Sequence, residues 1–189
     1  RAVVVDVRDN GGGATPVHLL RAIMDRPYRD WSQASALSIG LFRAHGHRYA
    51  LTSPGELSER EAGFLDALSQ FAAPQLLAPG TLVPPAASPY RGRIVVLTGF
   101  ACTSACEDFV MPLKYSKRAT IVGERTRGSS GQPFIYDFGN GMSVHISSRR
   151  MYFPDGSEFE GVGIAPDIAV QPSVADRRNG VDVVLECTG

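Results

Sequence analysis

With 189 residues, 43% of them apolar, the chain is long enough to form one globular domain around a sizeable core. Nineteen basic and nineteen acidic residues cancel to a formal net charge of zero, and no block of like charge stands out, so the electrostatic footprint of a nucleic-acid binder is absent. No apolar run is long enough to span a membrane, and the three cysteines form neither a zinc-ligand pattern nor an even-numbered disulfide framework.

In chain order, Ala2-Val3-Val4-Val5-Asp6-Val7-Arg8 reads as a buried strand, being short, apolar and β-branched. Asp9-Asn10-Gly11-Gly12-Gly13 closes it with a stretch that reaches positive φ easily. Thr15 and Pro16 look like the N-cap and first residue of a helix whose apolar stripe is Val17, Leu20, Ile23 and Met24. Three glycines before a helix allow close backbone approach to a ligand and leave N–H donors unencumbered; an ordinary flexible loop has the same composition.

The segment from Asp25 to Tyr90 carries the only tryptophan, Trp31, and an ambiguous pattern from Ser35 to His47. Ser58-Glu59-Arg60-Glu61 is a capping box for a helix to about Phe71, striped by Phe64, Leu65, Leu68 and Phe71. Pro74, Pro79, Pro84, Pro85 and Pro89 then exclude regular helix. This insertion, about 25–90, is expected to be a mobile cover or substrate-side wall, the alternative being an extra packing helix without a functional role.

Arg93 to Thr98 reads as a second buried strand, and Asp108 to Tyr115 suits a helix, so Ser104 falls where a strand turns into a helix. Two readings of that serine stand side by side. At such a corner a hydroxyl stands clear of the backbone and the Ala105 amide joins the unpaired N–H groups of a helix start, which can hold a developing oxyanion. Ser104-Ala105-Cys106-Glu107 is equally a capping box, in which serine and glutamate satisfy each other's orphan amides. Cys102 and Cys106 flank the serine and read as small packing residues, which leaves the redox compartment undecided.

Beyond the helix, Ala119 to Gly123 is a short strand. Phe134 to Phe138 and Met142 to Ser147 are antiparallel partners around Asn140-Gly141. Met151-Tyr152-Phe153 leads into a turn at Pro154-Asp155-Gly156, Ile168 to Val170 is a last strand, and Asp176 to Gly189 is a short terminal helix with Val181, Val184 and Leu185 on one face. Strands alternating with helices, then a hairpin, predict a mixed α/β layer fold.

Three blocks in order resemble the serine peptidase family of C-terminal (tail-specific) processing proteases and tricorn core proteases. They are Asp6-Val7-Arg8-Asp9-Asn10-Gly11-Gly12-Gly13; Ser104-Ala105-Cys106-Glu107; and Val122 to Gly128 with Asp155-Gly156 and Glu160-Gly161-Val162-Gly163-Ile164-Ala165-Pro166-Asp167. The resemblance implies a crotonase-like or Clp-protease-like superhelix of β-β-α units, here with an inserted helical segment. It assigns Ser104 as nucleophile and the amides of Gly12, Gly13 and Ala105 as oxyanion hole. The processing branch activates its serine with a lysine in a Gly-Lys-Gly stretch, where this chain has Gly128-Ser129-Ser130-Gly131. The only lysines are Lys114 and Lys117; ten helical residues rise about 15 Å, so Lys114 cannot reach the hydroxyl.

The resemblance therefore leans to the tricorn-like branch, in which a histidine is the base and Glu160 supports it through a polar relay. That histidine lies upstream of the first block in the family, so the chain is expected to be a fragment of a longer protein, with His18, His45, His47 and His145 as the histidines it does hold. The implied substrate is a peptide or protein, cleaved through an acyl-enzyme without metal or organic cofactor, outside the cytoplasm and with homo-oligomers allowed. Two rivals are a crotonase-like acyl-thioester enzyme, which would hold an enolate with similar amides, and an inactive module binding a lipophilic ligand. A lipase-type enzyme is disfavoured because no Gly-x-Ser-x-Gly elbow surrounds Ser104.

Overall fold

The computed structural model describes residues 2–36 and 75–188. The chain divides into two compact units, one of Arg1–Trp31, Gly80–Ser130 and Tyr152–Gly189, the other of Ser32–Pro79 and Gly131–Met151. Among the described residues no helix is long and apolar enough to cross a membrane.

The first unit is built on a parallel sheet. Its strands are β1 (Ala2–Asp6), β6 (Arg93–Thr98), β7 (Thr120–Gly123) and β11 (Ile168–Ala169), in the order β1-β6-β7-β11. Parallel neighbours need crossovers, and helices supply them: α1 (Val17–Ile23) lies between β1 and β6, α2 (Ala105–Tyr115) between β6 and β7. The short pair β2 (Tyr28–Arg29) and β5 (Leu82–Val83) completes the excursion from α1 to β6.

Strand β6 matches its apolar run. Flanked on both sides, it buries Ile94 to Thr98, and Val95 and Leu97 pack with Val122 and Val184 in one cluster. Strand β1 has the same composition but stands at the sheet edge, so Val3 and Val4 remain 42% and 39% exposed rather than buried as expected. Register fixes what matters for the site. Asp6 lies opposite Leu97, and the Val7 amide donates to the Leu97 carbonyl at 3.0 Å, so the two strands end together and their following loops leave the same sheet edge.

The expected single terminal helix is two: α3 (Val174–Asn179) and α4 (Val183–Glu186). Gly180, at φ 68°, ends the first with the left-handed residue a helix C-terminus favours, and the Asp182 carboxylate restarts the chain by accepting the Leu185 amide at 3.0 Å. The break leaves Val181 and Leu185 exposed while Val184 alone enters the core.

In the second unit β3 (Ser32–Ala36) pairs antiparallel with β4 (Gln75–Ala78), and β10 (Arg150–Tyr152) joins on the other side of β3. The expected hairpin is present as β8 (Pro133–Asp137) and β9 (Ser143–Ser147), with Gly139 and Gly141 at positive φ in its turn. The helix expected near 58–71, inside the insertion of about 25–90 expected to cover or wall the site, lies outside the described residues.

One ion pair ties the chain's two ends. Arg8 donates from both terminal nitrogens to the two oxygens of Asp182 at 2.7 Å, and also grips Asp6, so the last helix is anchored to the strand that carries the glycine loop. The Arg8 guanidinium holds the Asp182 carboxyl down to about 2. A carboxylate lowered by folding stabilises above its unfolded pKa of about 4, and that stabilisation disappears as pH falls toward about 2. Asp182→Asn should therefore lower stability at neutral pH by about 1 kcal/mol, the pair being partly exposed, and converge with the parent protein in strong acid. Urea denaturation across that pH range measures it; a constant difference at every pH would refute the linkage.

Candidate active site

Ser104 is the N-cap of α2, with φ 57° and ψ −122°. A non-glycine residue in that region costs about 1–3 kcal/mol and persists only where its surroundings over-determine it. Here they do. The Ser104 amide donates to the Ser129 carbonyl at 2.8 Å and to the Glu107 carboxylate at 3.1 Å. That carboxylate is fully buried and also accepts from the Thr126 hydroxyl at 2.5 Å and the amides of Gly128 and Ser129 at 2.7 and 2.9 Å. Burial pushes the Glu107 carboxyl above the ordinary range, against the pull of these four donors.

The capping-box arrangement expected of Ser104-Ala105-Cys106-Glu107 is present at this corner. Oγ and the Glu107 amide keep the approach of a capping box, and Glu107 closes its own half by taking the Ser104 amide. Yet the Glu107 amide donates to the Ser104 backbone carbonyl at 2.7 Å, and the hydroxyl makes no cap hydrogen bond. The serine oxygen is half-buried and makes no side-chain hydrogen bond among the described residues beyond that capping-box approach. The flanking cysteines are buried, as packing residues should be, but they are bonded to each other: Cys102 and Cys106 form a disulfide, leaving Cys187 free and exposed.

The glycine loop meets this corner. A Cβ on Gly12 would lie 2.8 Å from Ser104 Cβ, 2.9 Å from the Thr103 carbonyl oxygen and 3.4 Å from the Ala105 nitrogen. Only a bare Cα fits, and at φ 101° only glycine rests there easily. Asn10 secures the approach, accepting the Thr103 amide on its carbonyl at 3.2 Å and the Gly12 amide on its side chain at 2.9 Å. The Gly12 donor is thereby occupied. The amides of Gly13 and Ala105 have no acceptor among the described residues.

Glu160 reaches the same neighbourhood through the loop at 128–131. Ser129 holds the Ser104 amide, and the next residue, Ser130, donates its amide to Glu160 at a long 3.4 Å. Phe159 beside it is fully buried and packs against Trp31 at an interplanar tilt of 46°, with ring centroids 4.3 Å apart. Lys114 is engaged with Asp167, away from the serine end of its helix. His18 lies exposed on α1 and His145 exposed on β9; His45 and His47 lie outside the described residues.

Asp108 is a member of the site that sequence reasoning missed. One oxygen accepts the Ser130 hydroxyl at 2.8 Å and the Trp31 indole N–H at 2.9 Å; the other accepts the Thr15 hydroxyl at 2.8 Å. It therefore joins the serine helix, the helix after the glycine loop and the loop that meets Glu160. Its place four residues after Ser104 puts it on the serine's helix face, but its partners are 22 to 93 residues away in sequence, so no local pattern announced it.

The description Peptidase family S41 matches residues 1–170. A carboxy-terminal-processing protease of Bartonella bacilliformis is 32% identical over 92 residues, covering 49% of this chain and 21% of the relative. A chloroplastic C-terminal processing peptidase of Tetradesmus obliquus is 29% identical over 174 residues, covering 91% of this chain and 29% of the relative. The chain thus spans less than a third of either curated relative. The crystal structure of mature CPAF shares the fold, with a TM-score of 0.69 at 21% identity over 94% of this chain and 40% of that one.

Removing the Asp108 carboxylate leaves an indole N–H and two hydroxyls without their acceptor. Asp108→Ala should cost about 2–3 kcal/mol in denaturant midpoint and shift the fluorescence of the single tryptophan, Trp31. An unshifted emission spectrum would mean that the indole bond is not made.

Proposed function

The chain belongs to peptidase family S41 and carries that family's ClpP- and crotonase-like α/β fold, and on this premise we propose that it is the nucleophile-bearing part of a serine endopeptidase. Ser104 Oγ attacks the carbonyl carbon of a peptide bond while a base takes its proton. The carbonyl π electrons move onto oxygen, and the amides of Ala105 and Gly13 catch that charge. Each such donor is worth about 3–4 kcal/mol at the transition state. Gly12 belongs to the same hole as the residue whose missing side chain lets the loop reach the serine. Collapse of the intermediate expels the amine, which takes the proton from the base, and water then hydrolyses the acyl-enzyme by the reverse sequence.

A histidine from a segment preceding Arg1 is the proposed base, and Glu160 its support through a polar relay, in the tricorn-like manner. Support for a base other than lysine comes from Ser129 standing in the lysine stretch and from Lys114 being held by Asp167. The bonded Cys102–Cys106 pair fits an oxidising compartment, which supports a site of action outside the cytoplasm.

The observation that carries this reading is the contact of Gly12 with the Ser104 corner, where a Cβ on Gly12 would lie 2.8 Å from Ser104 Cβ and 3.4 Å from the Ala105 nitrogen. In the full-length protein, Ser104→Ala should reduce peptide cleavage at least about a thousandfold and abolish labelling by a fluorophosphonate. Glu160→Gln should lower kcat by about 10- to 100-fold while leaving Ser104 in place to be labelled. Cleavage undiminished in Ser104→Ala would overturn the proposal, and thioester turnover without labelling would favour the crotonase-like alternative.

A further inference from the structure

The disulfide brackets the serine symmetrically, two residues before it and two after, and both sulfurs are buried, Cys102 being 0% and Cys106 2% exposed. Inside that ring sits the one residue of the corner whose backbone is in a region L-residues rarely adopt, at φ 57°. Helix N-caps ordinarily take extended φ and ψ, with the side-chain oxygen accepting an amide of the first turn. Ser104 departs from that backbone while keeping the capping-box approach to Glu107.

What this backbone conformation governs is the peptide joining Ser104 to Ala105. Its orientation is set by Ser104 ψ, here −122°, and so is the direction of the Ala105 N–H relative to Oγ and to the Gly12-Gly13 loop. Hydrogen bonds hold both flanks: the Cys102 carbonyl accepts the Arg127 amide at 3.0 Å, and Glu107 gathers its four donors. Across the serine itself the Ser104 amide is held by the Ser129 carbonyl and Glu107, the Ser104 carbonyl accepts the Glu107 and Asp108 amides at 2.7 and 3.0 Å, the Thr103 carbonyl accepts the Cys106 amide at 3.2 Å, and the disulfide is the one covalent restraint.

We propose that the Cys102–Cys106 disulfide is a positioning element for catalysis, a covalent clamp that holds Ser104 at its positive φ and its peptide aimed at the oxyanion. This rests on the reading of Ser104 as nucleophile. The chemistry is a two-electron exchange: an attacking dithiol reductant is oxidised to its own disulfide as Cys102 and Cys106 each gain a proton and become thiols. Burial makes such exchange slow in the folded protein, so the clamp is a permanent fitting in an oxidising compartment.

The test uses the full-length protein, with Cys102→Ala, Cys106→Ala and the double variant, reading fluorophosphonate labelling of Ser104 and amide exchange over 103–108. Each single variant should slow labelling at least tenfold, and the double should match the singles because all three remove the same bond. With a peptide substrate kcat should fall and KM stay within about twofold, a split that loss of packing would not produce. Reduced and alkylated parent protein should behave like the double variant, and the double variant should ignore reductant. Amide exchange over 103–108 should quicken at least tenfold without the bond. Labelling rates within twofold of the parent, or single effects that multiply in the double variant, would overturn the clamp. If Ser104 is unlabelled in every form, exchange decides alone: faster exchange keeps the clamp and discards the nucleophile, unchanged exchange discards the clamp.

Discussion

Gly12 lies so near Ser104 that even a methyl group on it would collide with the serine, and this contact depends on two strands ending at one level. Strands β1 and β6 are parallel neighbours with Asp6 opposite Leu97, so the loop after each leaves the same edge of the sheet. Ligand sites of open parallel sheets form at that edge, where successive strands deliver loops and helix starts together. A one-residue slip would carry the glycines a strand step away and reverse every side chain of β1. The buried β6 run and the Arg8–Asp182 pair resist such a slip from inside the sheet and from outside it.

Two adjacent carboxylates on the first turn of α2 then organise what surrounds the serine. Glu107 points inward and draws in the loop from Thr126 to Ser129, while Asp108 collects Thr15, Trp31 and Ser130. Both suit the positive end of the helix dipole. The loop they hold is packed against the glutamate segment with no room for side chains, since a Cβ on Gly128 would stand 2.5 Å from the Gly163 nitrogen. Serine, glycine loop and Glu160 segment are thus connected through backbone, and a shift in one is felt by the others.

The parts of this arrangement that depend on short stretches of sequence could be read directly. The β6 run, the serine helix, the Asn140-Gly141 hairpin and the glycine loop each owe their form to neighbours within a few residues, and each stands where its pattern indicates. Properties that depend on distant partners could not be read. The apolar run of β1 is silent about lying at the edge, Gly180 inside an apolar stretch hides the break between α3 and α4, and Cys102 and Cys106 look the same whether packed or bonded. Asp108 is the clearest case, because its meaning comes from three groups that only the fold brings to it.

In the capping box at the start of α2, Glu107 accepts the Ser104 amide at 3.1 Å, while the Ser104 hydroxyl approaches the Glu107 amide and is held back from a full cap hydrogen bond. Whether that withheld oxygen stands before converging donors is best tested by a crystal structure of the full-length protein carrying a peptide boronate on Ser104. The account predicts a tetrahedral boron on Oγ with one boron-bound oxygen within about 3 Å of both the Ala105 and Gly13 nitrogens. An adduct whose oxygens all face solvent, or a boronate bound elsewhere than Ser104, would contradict it.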